Sequence, residues 1–501
     1  MQPRPAPVPI GTRRELFIDD DLIDGLTGGA TRRLHQPQPR EIVLRHDAPW
    51  EGNGCGYHSL FRDGDLYRLY YKAWKIRLHP GQIATEAVPD IFTCYAESRD
   101  GISWTRPALG LVPHEGSTAN NIVLGRGTLQ RVEADPGHPA IFRDLNPAAA
   151  MPYKGMLRSR GAHGVLAIQS PDGIHWSEMA DTPVLTDGAF DSQNLAFWDG
   201  VRGEYRAYWR CFPEGRVGKG VWEPKGVRSI RTATSNDFLH WTNQADLVYA
   251  GSPPAEELYI NQIKPYHRAP HLFIGFPARY VERPWGSSMR ALPDREFREF
   301  RSSAQERYGT ALSESLLMSS RDGVRFTRWP EAFLRPGPER SGTWNYGHQY
   351  LAWHVVETAS TLGPDAPNDL SLYSVEDYWM EPGSALRRHT LRLDGFVSVH
   401  APASGGECLT RPVRFEGREL RLNFASSVAG DVRVEIQEVD GSPVPGFGLR
   451  DCDPTFGDAT DRPVVWKSGP DVGPLAGRPV RLRFALRDAD LYAYRFTAPT
   501  P

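Results

Sequence analysis

The sequence predicts an all-β protein made of a five-bladed β-propeller followed by a C-terminal β-sandwich. A turn signature, S-x-D-[GF]-x-x-[WF], occurs four times, with its aspartates at Asp100, Asp172, Asp237 and Asp322. A strand–turn–strand pattern with alternating aromatic residues precedes each copy, so each unit supplies two hairpins. The 501 residues include 14 Trp, 19 Tyr, 48 Gly and 43 Pro, a composition typical of many short strands joined by tight turns.

The repeated units are spaced about 65 to 85 residues apart, which makes them four-stranded sheets with long loops. The strand pairs that precede the signature begin near Phe61, Ile141, Phe197 and Ile263, and a fainter fifth pair begins near Gln349. Radial repetition of such sheets protects their edges, so a propeller is favoured over two sandwiches with accidental turn similarity. Because all four signature aspartates occupy the same hairpin position, we interpret them as structural.

These patterns divide the chain into three parts. Residues 1–14 are proline-rich and predict a disordered lead, residues 15–382 form the propeller, which we expect to be catalytic, and residues 383–501 form the sandwich. The last part alternates with period two and has Asp-Gly and Pro-Gly turns. An insertion at 280–313 contains a helix start at Pro293–Phe300, and either it or the C-terminal domain could form a homo-oligomer contact.

The bulk properties exclude several classes of function. A net charge of −3 gives no general attraction to nucleic acid or to an anionic membrane. The five cysteines are scattered without C-x-x-C spacing, so neither a zinc site nor a disulfide framework is indicated. No apolar run approaches the roughly 20 residues of a membrane span, and no signal-peptide core is visible. We therefore expect a cytoplasmic protein that binds an uncharged ligand such as a sugar.

The residues just before the innermost strand of each blade converge at one end of the central tunnel, and this is where paired carboxylates would meet. A glycosidase needs one carboxylic acid to protonate the leaving oxygen and one carboxylate to activate water or to attack. Asp191 lies in the stretch Phe190–Asn194, which no sister unit copies. We predict Asp191, Glu257 and Glu51 as catalytic residues, with Glu257 as the acid, Glu51 as base or nucleophile, and Asp191 positioning the substrate or tuning the acid.

Alternatives remain open at two of these positions, because Asp47 competes with Glu51 and Glu256 competes with Glu257. Aspartate, amide, histidine, aromatic and arginine residues at equivalent positions are predicted to bind substrate: Asp47, Trp50, His58, Asn194, Asn261, Arg279, Trp344 and His348. No metal site is predicted among them, and no cofactor is expected apart from a structural calcium ion that the tunnel could hold.

The five-unit pattern with acidic inner strands resembles the five-bladed propeller glycoside hydrolases, namely the arabinanase/xylosidase group of family 43 and the invertase/levansucrase group of families 32 and 68. The resemblance covers roughly residues 40 to 380 and is one of architecture and carboxylate placement. The phrases Ala48–Gly52, Phe190–Asn194 and Leu393–Ser398 also look like a group of bacterial proteins described as glycosyl-hydrolase-like. The signature itself resembles the sialidase Asp-box with one residue missing.

These observations lead to one main functional hypothesis and two alternatives. The main hypothesis is a glycoside hydrolase that cleaves a neutral oligosaccharide, furanosides included, by acid/base catalysis in the propeller centre. One alternative is a non-catalytic carbohydrate-binding propeller. The other is a metal-dependent propeller lyase or lactonase that uses His58, His138 or His348.

Overall fold

The computed structural model describes residues 6–84, 91–218 and 221–498. Strands make up most of the ordered structure, so the predicted all-β fold class is confirmed. Among the described residues, no helix is long and apolar enough to cross a membrane. All five cysteines are buried and unpaired.

Five sheets, which we number 1 to 5, follow one another along the chain. Sheet 1 contains Gly56–Asp63, Leu66–Ala73, Phe92–Ser98, Trp104–Thr105 and Ile122–Leu124. Sheet 2 contains Ala134–Arg143, Tyr153–Ser159, Val165–Ser170 and Ser177–Glu178. Sheet 3 contains Leu195–Asp199, Glu204–Cys211, Ser229–Ser235 and Thr242–Asp246. Sheet 4 contains Val248–Tyr249, Lys264–Tyr266, Ala269–Gly275, Met318–Ser320 and Arg325–Arg328. Sheet 5 contains Gln38–Arg45, Val356–Thr358, Asp369–Glu376 and Ala385–Arg392.

Each sheet contacts the next, and sheet 5 contacts sheet 1, so the contacts close a ring. One hydrogen bond across each boundary shows this: Tyr70 Oη to Gly173 O (2.9 Å), Tyr205 Oη to Asp144 Oδ2 (2.6 Å), Tyr208 Oη to Gly323 O (2.8 Å), Arg268 Nη1 to Glu357 Oε1 (3.2 Å) and Tyr373 Oη to Gly101 O (2.7 Å). Three of the five acceptors are glycines of the repeated signature. The signature turn therefore joins neighbouring sheets as well as closing its own hairpin.

The signature aspartates hold their turns through backbone hydrogen bonds. Asp100 Oδ1 accepts the N–H groups of Ile102 and Ser103 at 2.7 Å, and Ser98 Oγ accepts the N–H of Gly101 at 2.9 Å. The same contacts recur in the other three copies. Gly101 has a φ of 75°, the left-handed region that glycine adopts without strain. The structural interpretation of these aspartates is confirmed.

Sheet 5 corrects the predicted boundary between the two parts of the chain. Its strand Ala385–Arg392 lies between Asp369–Glu376 and the N-terminal strand Gln38–Arg45. The ring therefore continues past residue 382 and is closed by a strand from the opposite end of the chain. Sequence patterns do not reveal this closure, because the two strands are more than 300 residues apart.

The C-terminal strands form one large sheet together with N-terminal strands. Its members are Glu15–Leu16, Ile23–Thr27, Thr31–Leu34, Val397–Ala401, Gly406–Thr410, Glu419–Gln437, Asp458–Pro463 and Arg481–Thr497, and a 3₁₀ turn lies at Gly473–Leu475. Val8–Gly11 also pairs in parallel with Val413–Phe415, and Ile10 is 2% exposed in the same core. The prediction of a disordered lead at 1–14 is thus wrong for residues 8–14, whereas residues 1–5 lie outside the described residues.

The predicted insertion at 280–313 is partly helical. Helices span Ser287–Ala291, Arg295–Ala304 and Arg307–Thr310, so the predicted helix start is confirmed. A three-stranded sheet flanks them, built from Glu257–Leu258, Ala278–Glu282 and Ala311–Ser315. Two small hairpins pair Arg77–His79 with Gln82–Ala84 and Arg216–Gly218 with Val221–Glu223. Arg298 donates to Thr343 O at 3.1 Å, which ties the insertion to the segment before sheet 5.

Candidate functional site

Five segments, one from each sheet, meet at one end of the ring: they contain Tyr57, Pro139, Gln193, Gln262 and Leu351. Glutamine side chains join them at the centre. Gln193 Nε2 donates to Tyr57 O at 3.0 Å and Pro139 O at 2.9 Å, and Gln262 Nε2 donates to Gln193 Oε1 at 2.9 Å and Leu351 O at 2.7 Å. These bonds connect sheets 1 to 5 and form a polar floor. We call the space above it the central cleft and define it by Tyr57, His138, Asp191, Arg210, Arg228, Glu257 and Tyr259.

The backbone at this end of the ring adopts an uncommon conformation. Tyr57, Gln262 and Gln349 have φ values of 50°, 48° and 65°. Tyr57 lies in Gly56–Asp63, Gln262 lies two residues before Lys264–Tyr266, and Gln349 lies two residues before the Leu351–Ser374 bridge of sheet 5. Non-glycine residues rarely occupy this region, and such residues cluster at sites where geometry matters for function. The side chain of Gln262 belongs to the polar floor, and that of Gln349 contacts the buried His348.

Two partly exposed carboxylates, Asp191 and Glu257, are each paired with an arginine that lies near the Tyr259 ring. Asp191 forms an ion pair with Arg210, and Glu257 Oε2 lies 2.7 Å from Arg228 Nη1. The guanidinium carbons of Arg210 and Arg228 are 5.7 and 5.5 Å from the centre of the Tyr259 ring. The side chains of Asp191 and Glu257 are 42% and 32% exposed, so both can reach a ligand.

The environment of Tyr259 favours its ionised form. Burial raises the pKa of the phenol, but Arg210, the hydroxyl of Tyr346 and Arg228 outweigh burial and lower it. The hydroxyl oxygens of Tyr259 and Tyr346 are 3.0 Å apart. A phenol close to two guanidinium groups loses its proton more readily than an ordinary tyrosine.

A buried charged group lies beneath the cleft between sheets 1 and 2. Asp135 Oδ2 is 3.1 Å from His138 Nδ1, and Asp135 Oδ1 accepts the Gly137 N–H at 2.8 Å. Burial opposes the ionisation of Asp135, but His138 and this N–H hold its pKa well below the usual range. Burial lowers the pKa of Lys72 to about 8 although Asp135 opposes the shift, and its Nζ lies 3.9 Å from the Trp74 ring centre.

Aromatic side chains pack against Tyr259 on the side of sheet 5 and the helical insertion, where they form a buried core cluster. Tyr259 stacks on Tyr350 at 5.4 Å between ring centres, and Tyr346 lies 4.8 Å from Trp379. Tyr308 of the insertion contacts Trp379 at 4.9 Å. This cluster fixes the position of the Tyr259 ring.

A cavity of about 480 Å³ opens beside Asp191. Its lining includes Arg158, His163, Phe190, Asp191 and Trp222. Arg158 Nη1 lies 3.6 Å from Asp135 Oδ2, so the cavity adjoins the buried charged group as well as the cleft. Its size falls within the range of pockets that hold small ligands.

The structure places the predicted catalytic residue Glu51 away from the cleft, and this corrects the prediction. Glu51 is fully buried, where its oxygens accept the Tyr71 hydroxyl at 2.5 Å, the Ala48 N–H at 2.9 Å and Arg106 at 3.0 Å. Burial opposes its ionisation, but His46, Arg106 and Tyr71 outweigh burial and lower its pKa. With both oxygens occupied, Glu51 holds its loop in place.

Its neighbours in the sequence have similar roles. Asp47 is exposed and pairs with Arg106 at 3.1 Å, and Trp50 donates to Asn121 Oδ1 at 2.7 Å within the core of sheet 1. The structure therefore does not bring Asp47 or Trp50 to the cleft.

The two predicted histidines are enclosed. His58 is 1% exposed and its Nε2 is 3.0 Å from His46 Nε2, and burial holds its pKa well below the usual value. His348 is fully buried and accepts the Trp344 N–H at 3.0 Å, and burial lowers its pKa to about 3. Both are neutral at pH 7. Among the described residues, no group of three or more His, Cys, Asp or Glu is arranged to hold a metal ion.

The remaining predicted residues support the backbone or pair elsewhere. Asn194 donates to Phe190 O at 3.0 Å, and Asn261 accepts the Ile263 N–H at 3.2 Å. Arg279 pairs with Glu256 and Glu314, so it is engaged outside the cleft, as is the rival acid Glu256. Trp344 donates to Gly337 O at 2.8 Å. Asp191 and Glu257 are thus the two predicted catalytic residues whose arginine partners both lie near the Tyr259 ring.

Sequence reasoning missed the cations of the site. Lys72 and Arg210 each lie near the end of an aromatic second strand, and the exposed fraction of Arg210's side chain is only 5%. A charged residue at the end of an apolar, aromatic strand is the signal that could have found them, because such a charge is buried only where something pairs with it. Arg228 and Arg158 give no comparable signal.

Comparisons with known proteins give distant structural similarities only. No family model and no curated protein sequence matches this chain. A family 43 arabinoxylan arabinofuranohydrolase from Bacillus subtilis is 13% identical over 92% of this chain and 99% of its own, with a TM-score of 0.41. An N-acetylgalactosamine deacetylase from F. plautii is 11% identical over 71% and 94%, with a TM-score of 0.44.

An endo-arabinase from Bacteroides thetaiotaomicron is 9% identical over 70% of this chain and 98% of its own, with a TM-score of 0.38. The similar structures thus include glycoside hydrolases of family 43, the group that the sequence resembles. At identities this low they assign no activity to this chain.

Proposed function

We propose that this protein is a glycoside hydrolase whose substrate binds in the central cleft, with Asp191 and Glu257 as its paired carboxylates. One observation carries the proposal: Asp191 and Glu257 come from different sheets, flank the same Tyr259 ring through Arg210 and Arg228, and remain partly exposed. A pair of carboxylates is the minimal apparatus for cleaving a glycosidic bond.

The roles follow from the surroundings of each group. We assign Glu257 as the general acid and give Asp191 the role of base or nucleophile, in place of Glu51. Arg210 and Arg228 fix the two carboxylates in position, and Tyr259 supplies a second group able to exchange a proton. The anomeric configuration of the product, followed by NMR, distinguishes a nucleophilic Asp191 (retention) from a base (inversion).

We further infer that the five sheets are the blades of one propeller and that the C-terminal sheet is an accessory sandwich. The cyclic hydrogen bonds and the closing strand Gln38–Arg45 support the first inference. The common core of Glu419–Gln437 and Arg481–Thr497 supports the second. An oligomer through the 280–313 insertion and a cytoplasmic location stay predictions.

The test is a hydrolysis screen on aryl glycosides, including arabinofuranosides, galactosides, fructosides and uronides. Asp191→Asn and Glu257→Gln should each lower kcat/KM by about 10²-fold or more, since acid–base groups contribute about 10²–10⁴-fold. Matched controls are Asp471→Asn and Glu407→Gln, whose side chains are 42% and 36% exposed and pair with Arg418 and Arg483. Unchanged turnover in both cleft variants refutes the assignment.

A non-catalytic carbohydrate-binding protein is the second candidate, because an arginine engages each carboxylate. A carboxylate that is held by an arginine can act as a fixed acceptor for a sugar hydroxyl group as well as a catalyst. This candidate predicts saturable binding of oligosaccharides with no turnover across the screen. It also predicts that Asp191→Asn weakens binding, whereas a catalytic role predicts that binding survives while turnover is lost.

A further inference from the structure

The cavity beside Asp191 has more positive than negative side chains. Arg158 and Arg160 both line it, and Asp191 is the carboxylate in its lining. Asp191 is already paired with Arg210. Within the described residues, Arg160 has no ion pair, and its side chain is exposed. An arginine that projects into a cavity without a partner is a ready site for an anionic group.

An aromatic platform stands at the same cavity. Trp222 lies on the hairpin that rises from sheet 3, and 57% of its surface is exposed although it is a large apolar residue. The other 13 tryptophans are buried or half-buried, so an exposed one at this cavity points to a ligand surface. The flat face of a sugar ring fits such a platform, and the neighbouring arginines add selectivity for charge.

We propose that this cavity binds a uronic acid unit of an acidic glycan, with its carboxylate on Arg160 and Arg158 and its ring against Trp222. The planar, forked guanidinium matches a carboxylate in two parallel hydrogen bonds. This inference rests on the proposed function, since Asp191 belongs to both the cavity and the cleft. It also replaces the expectation of a neutral substrate, because the net charge of a whole chain does not report the field inside one cavity.

The direct test compares the binding of two trisaccharides to the full chain by thermophoresis. One is trigalacturonate, and the other is the same trisaccharide after reduction of its carboxyl groups, which is neutral. We expect trigalacturonate to bind at least about tenfold more tightly, because one charge-assisted hydrogen bond contributes about that much affinity. The preference should shrink at high salt, because exposed charges are screened.

Variants locate the preference in the cavity. Arg160→Gln and Arg158→Gln should each reduce it, and the double variant should bind the two trisaccharides within about twofold of each other. Asp191→Asn should strengthen trigalacturonate binding, because it removes the carboxylate that repels the ligand. Arg143→Gln is the control, since Arg143 also belongs to sheet 2 but pairs with Asp63 at 2.6 Å outside the cavity.

Equal binding of the two trisaccharides overturns the inference, and so does a preference that survives in the double variant. A third outcome is that a sulfated neutral trisaccharide binds and trigalacturonate does not. The ligand of the cavity would then be a sulfate ester rather than a uronate, and the inference would be overturned. These outcomes are independent of hydrolysis. If Asp191→Asn and Glu257→Gln keep full turnover, the proposed function fails, whether or not the protein prefers trigalacturonate. If turnover is lost in these variants but the preference for trigalacturonate is absent, the hydrolase assignment stands.

Discussion

Replacing Glu51 with glutamine should destabilise the protein while leaving the chemistry of the cleft intact. Glutamine has the same shape, but its amide carries a donor where the carboxylate has only acceptors. At Glu51 the partners are all donors: the Ala48 N–H, the Tyr71 hydroxyl and Arg106. One of them must face the amide nitrogen of the variant, and the charge of Arg106 loses its buried partner.

The magnitude follows from these contacts. Hydrogen bonds to a charged group contribute about 1.5–3 kcal/mol each, and breaking a buried ion pair costs about 3–5 kcal/mol. Arg106 is 24% exposed, so water compensates part of its loss. We expect the free energy of unfolding to fall by about 2–4 kcal/mol. Glu407→Gln, at the partly exposed Arg483 pair, should stay within about 1 kcal/mol.

Urea denaturation followed by tryptophan fluorescence measures this difference, and pH provides a second signature. The pKa of Glu51 is lower in the folded protein than in the unfolded chain. Its stabilisation is therefore present above the unfolded pKa of about 4.3 and is lost as the pH falls toward the folded pKa. The variant lacks this group, so the gap between variant and wild type should narrow in acid.

A different result would refute this reasoning. If Glu51→Gln unfolds at the wild-type urea concentration but loses turnover, then Glu51 is a catalytic residue, as the sequence suggested, and the enclosed arrangement is not the working one. A double-mutant cycle with Arg106→Gln adds a check, because two contacting residues should show a coupling energy of about 0.5–3 kcal/mol.

Three further predictions concern the fold and the charge under the cleft. Gly173→Ala should lower the free energy of unfolding by about 2 kcal/mol or more, because the new Cβ would lie 2.6 Å from Tyr70 Oη. The control Gly64→Ala, whose Cβ meets open space, should cost about 1 kcal/mol from backbone strain alone. If the two variants lose the same free energy of unfolding, the signature turn does not join neighbouring sheets. Ile10→Ala should cost about 2–4 kcal/mol by thermal unfolding, while a disordered lead would give no change. Ligand binding should weaken as the pH rises through about 8, where Lys72 loses its charge. Lys72→Arg should move that loss of affinity to higher pH. If the pH dependence of binding is the same in the variant, Lys72 is not the group responsible.

The repeat signature made the ring predictable because a tight turn leaves a local, recurring pattern. Ser98, Asp100 and Gly101 satisfy each other within four residues, so their spacing is visible in the sequence. The closing strand Gln38–Arg45 leaves no such pattern. Its partner Ala385–Arg392 lies at the other end of the chain, and pairing at that distance depends on ring geometry that no local pattern encodes.

The site was predictable only where a residue departs from its repeat. Asp191 lies in the segment Phe190–Asn194, which no sister sheet copies, and its side chain is partly exposed. Glu51 looked equally suitable in the sequence, since its polar neighbours could have faced either a ligand or each other. The side chains of Tyr71 and Arg106 decide the matter, and their approach to Glu51 comes from tertiary packing.

The cations of the site follow from a physical constraint that sequence reasoning can use. A second strand of these sheets is buried on both faces, as the exposed fractions in Glu204–Cys211 show. An arginine such as Arg210 can occupy that strand only if its charge meets a carboxylate or a ring face, and it meets Asp191 and Tyr259. The ion pair fixes Asp191, and its counterpart at Arg228 fixes Glu257. The positively charged residues therefore set the geometry of the carboxylates, and a search for a site in such a ring should begin with the buried cation rather than with the acid.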